Sequence, residues 1–233
     1  TTIIFMMGGF FSIMFTYVWL MVFPDHQDLL FIMGVLVQFD IQMLSGDEML
    51  ISLLFYSFIQ VALMEETMKA LSIKALSFIR GKSERGVFQT MFYTCIASLG
   101  FAAVENIHYF TQFQGNIVPL RAFTAVLAHL SCGIIMGYFF ALSRLRPSKR
   151  TIYVVLGILL ASCYHGTYDY FVLSMEEWQI TLHFYRTVIK ISSGYFGAFL
   201  GLIIAYPLYR RIKRLASIHD QAPRKSTPEG PTK

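Results

Sequence analysis

Seven apolar runs, separated by short polar connections, restrict this chain more than any other feature. They cover about residues 3–23, 28–44, 49–79, 86–110, 117–143, 151–173 and 181–209. A helix rises 1.5 Å per residue, so runs of this length cross a hydrocarbon layer about 30 Å thick. Inside such a layer every backbone N–H and C=O must pair within the protein, which makes helices the expected form. Composition agrees, because 55% hydrophobic residues against 14% charged ones leave too little polarity to cover a water-soluble surface. The expected fold is all-α, a polytopic transmembrane bundle of about seven helices forming one domain over residues 1–215. Residues 216–233, with Pro223, Pro228, Gly230 and Pro231 among scattered charges, read as a disordered cytoplasmic tail.

The net charge of +5 would suit nucleic acid, but its placement points to the lipid bilayer instead. Basic residues gather at Arg80, Lys82 and Arg85, at Arg144, Arg146, Lys149 and Arg150, and at Arg210, Arg211, Lys213 and Arg214. By the positive-inside tendency these ends are cytoplasmic, which puts the N-terminus outside, the C-terminus inside and the chain in the cell membrane as a multi-pass protein. The loop at 24–28 runs against this pattern, with two acids and no base. The long run at 49–79 is expected to be one tilted or kinked helix, since splitting it would put Arg80, Lys82 and Arg85 outside. The first run has no basic residue before it and no small-residue cleavage site after it, so it reads as a retained helix. Cys95, Cys132 and Cys163 lie within apolar runs and read as small core residues.

Ionisable side chains inside spanning helices cost a few kcal/mol each on insertion scales, about 2.5–3.5 at mid-membrane, so each is a candidate for function. Five stand out, Glu65, Glu66, Glu105, His129 and His165, with Lys69, Asn106 and Asp169 beside them. Glu65, His129 and His165 each lie 15 residues from the nearest cytoplasmic base (Arg80, Arg144 and Arg150), about 22 Å along the helix axis. Glu105 lies 20 residues from Arg85, about 30 Å. Four helices thus bring acid and imidazole to a similar depth. Lys69 is i,i+4 from Glu65 and i,i+3 from Glu66, so it can neutralise one carboxylate and leave the other for chemistry or a metal. His129 sits on a stripe of small residues, Ala125, Gly133, Gly137 and Ala141, that suits close helix packing. His165 and Asp169 share a face, so the carboxylate can orient the imidazole. Asn106 reads first as helix glue. Glu105 and His108 form one E-x-x-H pair, half of what a di-iron bundle needs. No H-E-x-x-H, G-x-S-x-G, Walker or dinucleotide fingerprint occurs.

At these same residues the sequence resembles the PrsW family of intramembrane proteases, which are distantly similar to the CAAX-processing membrane endopeptidases. The matching blocks are MEETMKA (64–70), SLGFAAVENIHYF (98–110), HLSCGIIMGYFFA (129–141) and YHGTYDYF (164–171), in order and at similar spacing. Residues 24–28 and 85–95 depart from the family's pattern, which leaves substrate choice open. The resemblance implies proteolysis of a membrane-anchored protein, typically a single-pass anti-sigma factor, near the outer face as the first cut of a signalling cascade. Its implied catalytic set is Glu65, Glu66, Glu105, His129 and His165.

Peptide hydrolysis needs an activated water, a polarised carbonyl and a proton for the leaving amine. Two versions fit these residues. In one, His129, His165 and a carboxylate from Glu66 or Glu105 hold Zn²⁺ while Glu65 takes the proton of the water. In the other, free of metal, a buried glutamate is the base, a histidine also holds the water, and the second histidine and Asn106 donate to the oxyanion. The competing class is a proton-coupled transporter or channel, although neither inverted halves nor paired broken helices are visible.

Overall fold

The computed structural model describes residues 1–22, 51, 53–79, 86–112, 117–173, 179–184 and 187–221. Among these, the chain runs through α1 (Thr2–Val22) and a π-helical stretch (Tyr56–Leu63) that passes without a break into α2 (Met64–Ile79). There follow α3 (Val87–Gln112), α4 (Ile117–Leu145), a 3-10 turn (Pro147–Lys149), α5 (Arg150–Leu173), the strands β1 (Gln179–Phe184) and β2 (Thr187–Ser192), and α6 (Ser193–Gln221). The expected helices at 3–23, 86–110, 117–143 and 151–173 are present with ends shifted by a few residues. The run at 49–79 is one helix over 53–79, with its irregularity in the π-helical stretch. The run at 28–44, the loop at 24–28 and Arg80, Lys82 and Arg85 lie outside the described residues.

The last expected span is corrected. Residues 179–184 and 187–192 pair as antiparallel strands, registered from Gln179 opposite Ser192 to Phe184 opposite Thr187, and the helix begins only at Ser193. The hairpin sequence is rich in β-branched and aromatic residues (Ile180, Thr181, Phe184, Thr187, Val188, Ile189, Ile191), which favour a pleated strand at the same hydropathy as a helix. The helix then continues to Gln221, six residues past the boundary expected at 215.

Val87–Thr111, Ala122–Leu145 and Pro147–Val172 are long and apolar enough to cross a membrane, and Thr2–Met14 is a shorter apolar stretch. Their surroundings invert the usual soluble pattern. Ile3, Phe110, Phe123, Ile152 and Ile203 stand more than half exposed, whereas Glu65, Glu66, Lys69, His129 and His165 are at most 3% exposed. A bundle with grease outside and charge inside suits lipid as its solvent.

α4 is the central element, packed against α3, α5 and α6, while α1 covers α2 and α3. The stripe read from the sequence explains how α3 comes so close. A Cβ on Gly133 would lie 2.9 Å from the Cys95 Cα, and one on Gly137 would lie 2.8 Å from the Met91 Cα. Only glycine permits that backbone approach. Cys132, Met136 and Ala141, all fully buried, fill the remaining contacts of α4.

Candidate active site

The π-helical stretch ends at Leu63, two residues before Glu65. π-helical insertions occur mostly as single turns at functional sites, and this one leaves its backbone open to outside partners. Ser162 Oγ of α5, which donates to the Ile158 carbonyl of its own helix at 2.9 Å, also reaches to 3.4 Å from the Ala62 carbonyl. Gly166 lets α5 close on the same stretch, since a Cβ there would sit 2.9 Å from the Phe58 Cα. His165, the residue before Gly166, is thereby carried to the start of α2.

Lys69 stands at the centre of the cluster. Its Nζ donates to Glu66 Oε1 at 2.6 Å, lies 2.8 Å from His129 Nδ1 on α4, and pairs more loosely with Glu65 Oε2 at 3.5 Å. The ammonium also sits 4.7 Å from the centroid of the buried Phe101 ring, a cation–π contact from α3. His165 Nδ1 donates to Glu66 Oε1 at 2.9 Å, while its Nε2 is 3.8 Å from Glu65 Oε2 and 3.4 Å from Asp169 Oδ2. His129 Nε2 lies 2.9 Å from Glu105 Oε2. The two imidazoles are 5.0 Å apart, centroid to centroid. All five candidate catalytic residues and two of the three neighbours, Lys69 and Asp169, thus come together.

Asn106 does not join them. Its amide donates to the Ala122 carbonyl at 3.4 Å, tying α3 to α4. His108 is turned outward and exposed, which removes the E-x-x-H pair from the site.

A water-sized cavity, partly open to the outside, is lined by Glu65, Glu105, His129, His165 and Asp169, together with Tyr56, Tyr109 and Tyr168. The acidic side chains grade across it. Glu65 and Glu66 are 1% and 0% exposed, but Glu105 is 15% and Asp169 13%, so the mouth lies on the Glu105–Asp169 side. Sequence reasoning missed the tyrosines. Tyr109 is four residues after Glu105 and Tyr168 three after His165, so helical spacing could have found both. Tyr168 is further fixed by a 2.9 Å hydrogen bond with Thr124. Tyr56 reaches the cavity only through the π-helical stretch, which no period in the sequence reports.

Among the described residues, two donor groups have metal-compatible spacing, each with ligand atoms within 4.8 Å of one another: Glu65, His129 and His165, and Glu66, Cys132 and His165. The first fits a cation better. Glu65 Oε2 and Glu66 Oε2 are both buried and make no hydrogen bond, but only Glu65 lines the cavity, and Glu66 Oε1 already accepts from both Lys69 and His165. In a neutral His165 ring with its proton on Nδ1, the Nε2 lone pair faces that oxygen. Two acceptors confront each other across 3.8 Å, an arrangement that a cation relieves. Two imidazoles and one carboxylate also form a catalytic zinc set.

A sequence profile described as PrsW family intramembrane metalloprotease matches residues 2–208. The chain belongs to the PrsW family. It is similar to Protease PrsW of Geobacillus kaustophilus, 29% identical over 153 residues, which is 64% of this chain and 68% of that protein. Protease PrsW of Clostridioides difficile is 29% identical over 136 residues, 56% of this chain and 57% of its own length. Protease PrsW of Bacillus subtilis is 27% identical over 125 residues, 53% and 57% respectively. The chain therefore spans somewhat more than half the length of these PrsW relatives. No solved structure matches it.

Proposed function

We propose that this PrsW-family chain is an intramembrane endopeptidase that hydrolyses a peptide bond of a membrane-anchored protein. The observation that carries the reading is the meeting of Glu65, His129 and His165, from three helices, with ligand atoms within 4.8 Å of one another beside a water-sized opening. The three apolar helices and the exposed grease of the bundle support a multi-pass position in the cell membrane. The cavity lies toward the ends of α3 and α5 farthest from Arg144, Lys149 and Arg150. With the basic ends cytoplasmic, it opens toward the outer face, where a first cut in a single-pass anti-sigma factor would be made.

Glu65, His129 and His165 would hold Zn²⁺. When bound, the ion polarises the scissile carbonyl and makes water a stronger nucleophile at neutral pH. Glu105, at the mouth, takes the proton of the attacking water on Oε2 and returns it to the nitrogen of the leaving amine as the C–N bond breaks. Glu66 holds His165 in place through Nδ1. Without a metal, Glu65 is the base, acting on a water held between its Oε2 and His165 Nε2.

Cleavage of a membrane-anchored peptide by the purified chain tests this. Cleavage is expected to disappear with Glu65→Gln and with His165→Ala, and to fall with chelator and return with Zn²⁺. Cleavage surviving both substitutions would remove the assigned chemistry, and proton movement without cleavage would favour a transporter.

A further inference from the structure

Glu66 and Lys69 reach both site histidines, but from opposite chemical sides. A carboxylate only accepts and an ammonium only donates. Glu66 Oε1, 2.9 Å from His165 Nδ1, therefore requires a proton on that nitrogen. Lys69 Nζ, 2.8 Å from His129 Nδ1, requires a lone pair there, so a neutral His129 carries its proton on Nε2, directed at Glu105 Oε2 2.9 Å away.

We propose that the Glu66–Lys69 pair is a positioning device that holds His165 and His129 in opposite tautomers, so that in the metal-free protein one ring offers the cavity a lone pair and the other an N–H. The ion pair between them is short, 2.6 Å, and both partners are fully buried, which gives neither a competing partner in water. His165 is thereby preset as a ligand or base through Nε2. His129 is withheld: its Nε2 becomes a ligand only when the ring proton moves to Nδ1 and the ammonium turns wholly to Glu65 and Glu66. That exchange moves a proton within the ring and changes no net charge. The tautomers stand on the hydrogen bonds alone, and their use in hydrolysis rests on the proposed function.

Nitrogen-15 spectra of the histidine-labelled full chain in lipid bilayers, treated with chelator and assigned with single His→Gln variants, read the tautomers directly. His165 is expected as the Nδ1–H form and His129 as the Nε2–H form. In Lys69→Met, His129 is expected to lose its single tautomer while His165 keeps its own. The double variant Glu66→Gln/Lys69→Met keeps an acceptor for His165 while removing both charges of the short pair, and should give the same loss at His129. Zn²⁺ added to the wild type should convert His129 to the Nδ1–H form. Both rings in one tautomer, either ring doubly protonated, or a His129 signal unchanged in both variants would overturn the proposal. Cleavage failing while these spectra hold would remove the hydrolytic reading and leave the positioning intact.

Discussion

Glu65 and Glu66 are neighbours in sequence with different surroundings. Glu66 accepts from Lys69 and His165 and is thereby fixed, while Glu65 lines the cavity with an oxygen that makes no hydrogen bond. Glu105 is the more accessible acid on the same wall. These three positions should therefore separate in their effects. Glu105→Gln is expected to lower kcat/KM about 10²–10⁴-fold, the usual worth of a proton-transferring group, with the zinc content of the purified chain retained. Glu65→Gln should lose both. Full activity in Glu105→Gln, measured beside metal per chain by mass spectrometry, would take Glu105 out of the proton transfer. The five ionisable residues were legible in the sequence because charge inside an apolar run has few bland explanations. Their division of labour was not, since Lys69 stands at helical spacing from both glutamates and only the fold shows it leaning on Glu66 and across to His129.

Helix packing sets how close these groups come. α3 and α4 touch through glycines, and the same approach brings Glu105 to His129. Gly137→Leu should force the Met91 backbone away and cost about 1–3 kcal/mol, as overpacking of a filled contact does. Thermal unfolding in detergent would show it as a lowered Tm, with the lipid-facing Ile203→Val as a control that stays near the wild type. An unchanged Tm for Gly137→Leu would mean the crossing is looser than the glycine contacts require. The small-residue stripe made this crossing readable in advance. The hairpin over 179–192 was not, because an apolar run carries the same hydropathy as strand or helix and its β-branched content had to decide. The π-helical stretch left no periodic mark either, yet it carries Tyr56 to the cavity and sets the entry of Glu65 and Glu66.

At the scale of the whole molecule the described residues are built inside out, with apolar side chains outward and a buried, charged centre. The apolar helices over 87–112, 117–145 and 150–173 followed directly from hydropathy. Which atoms face which followed only from the packing around α4. The central claim, that this centre breaks a peptide bond with water, is tested most directly by isotope. Purified chain in lipid bilayers is incubated with a membrane-anchored peptide in water enriched in oxygen-18, and the products are weighed by mass spectrometry. Wild type should yield a new carboxyl terminus carrying the label, and Glu65→Gln only intact peptide. Intact peptide from the wild type, or labelled product from both proteins, would contradict the account.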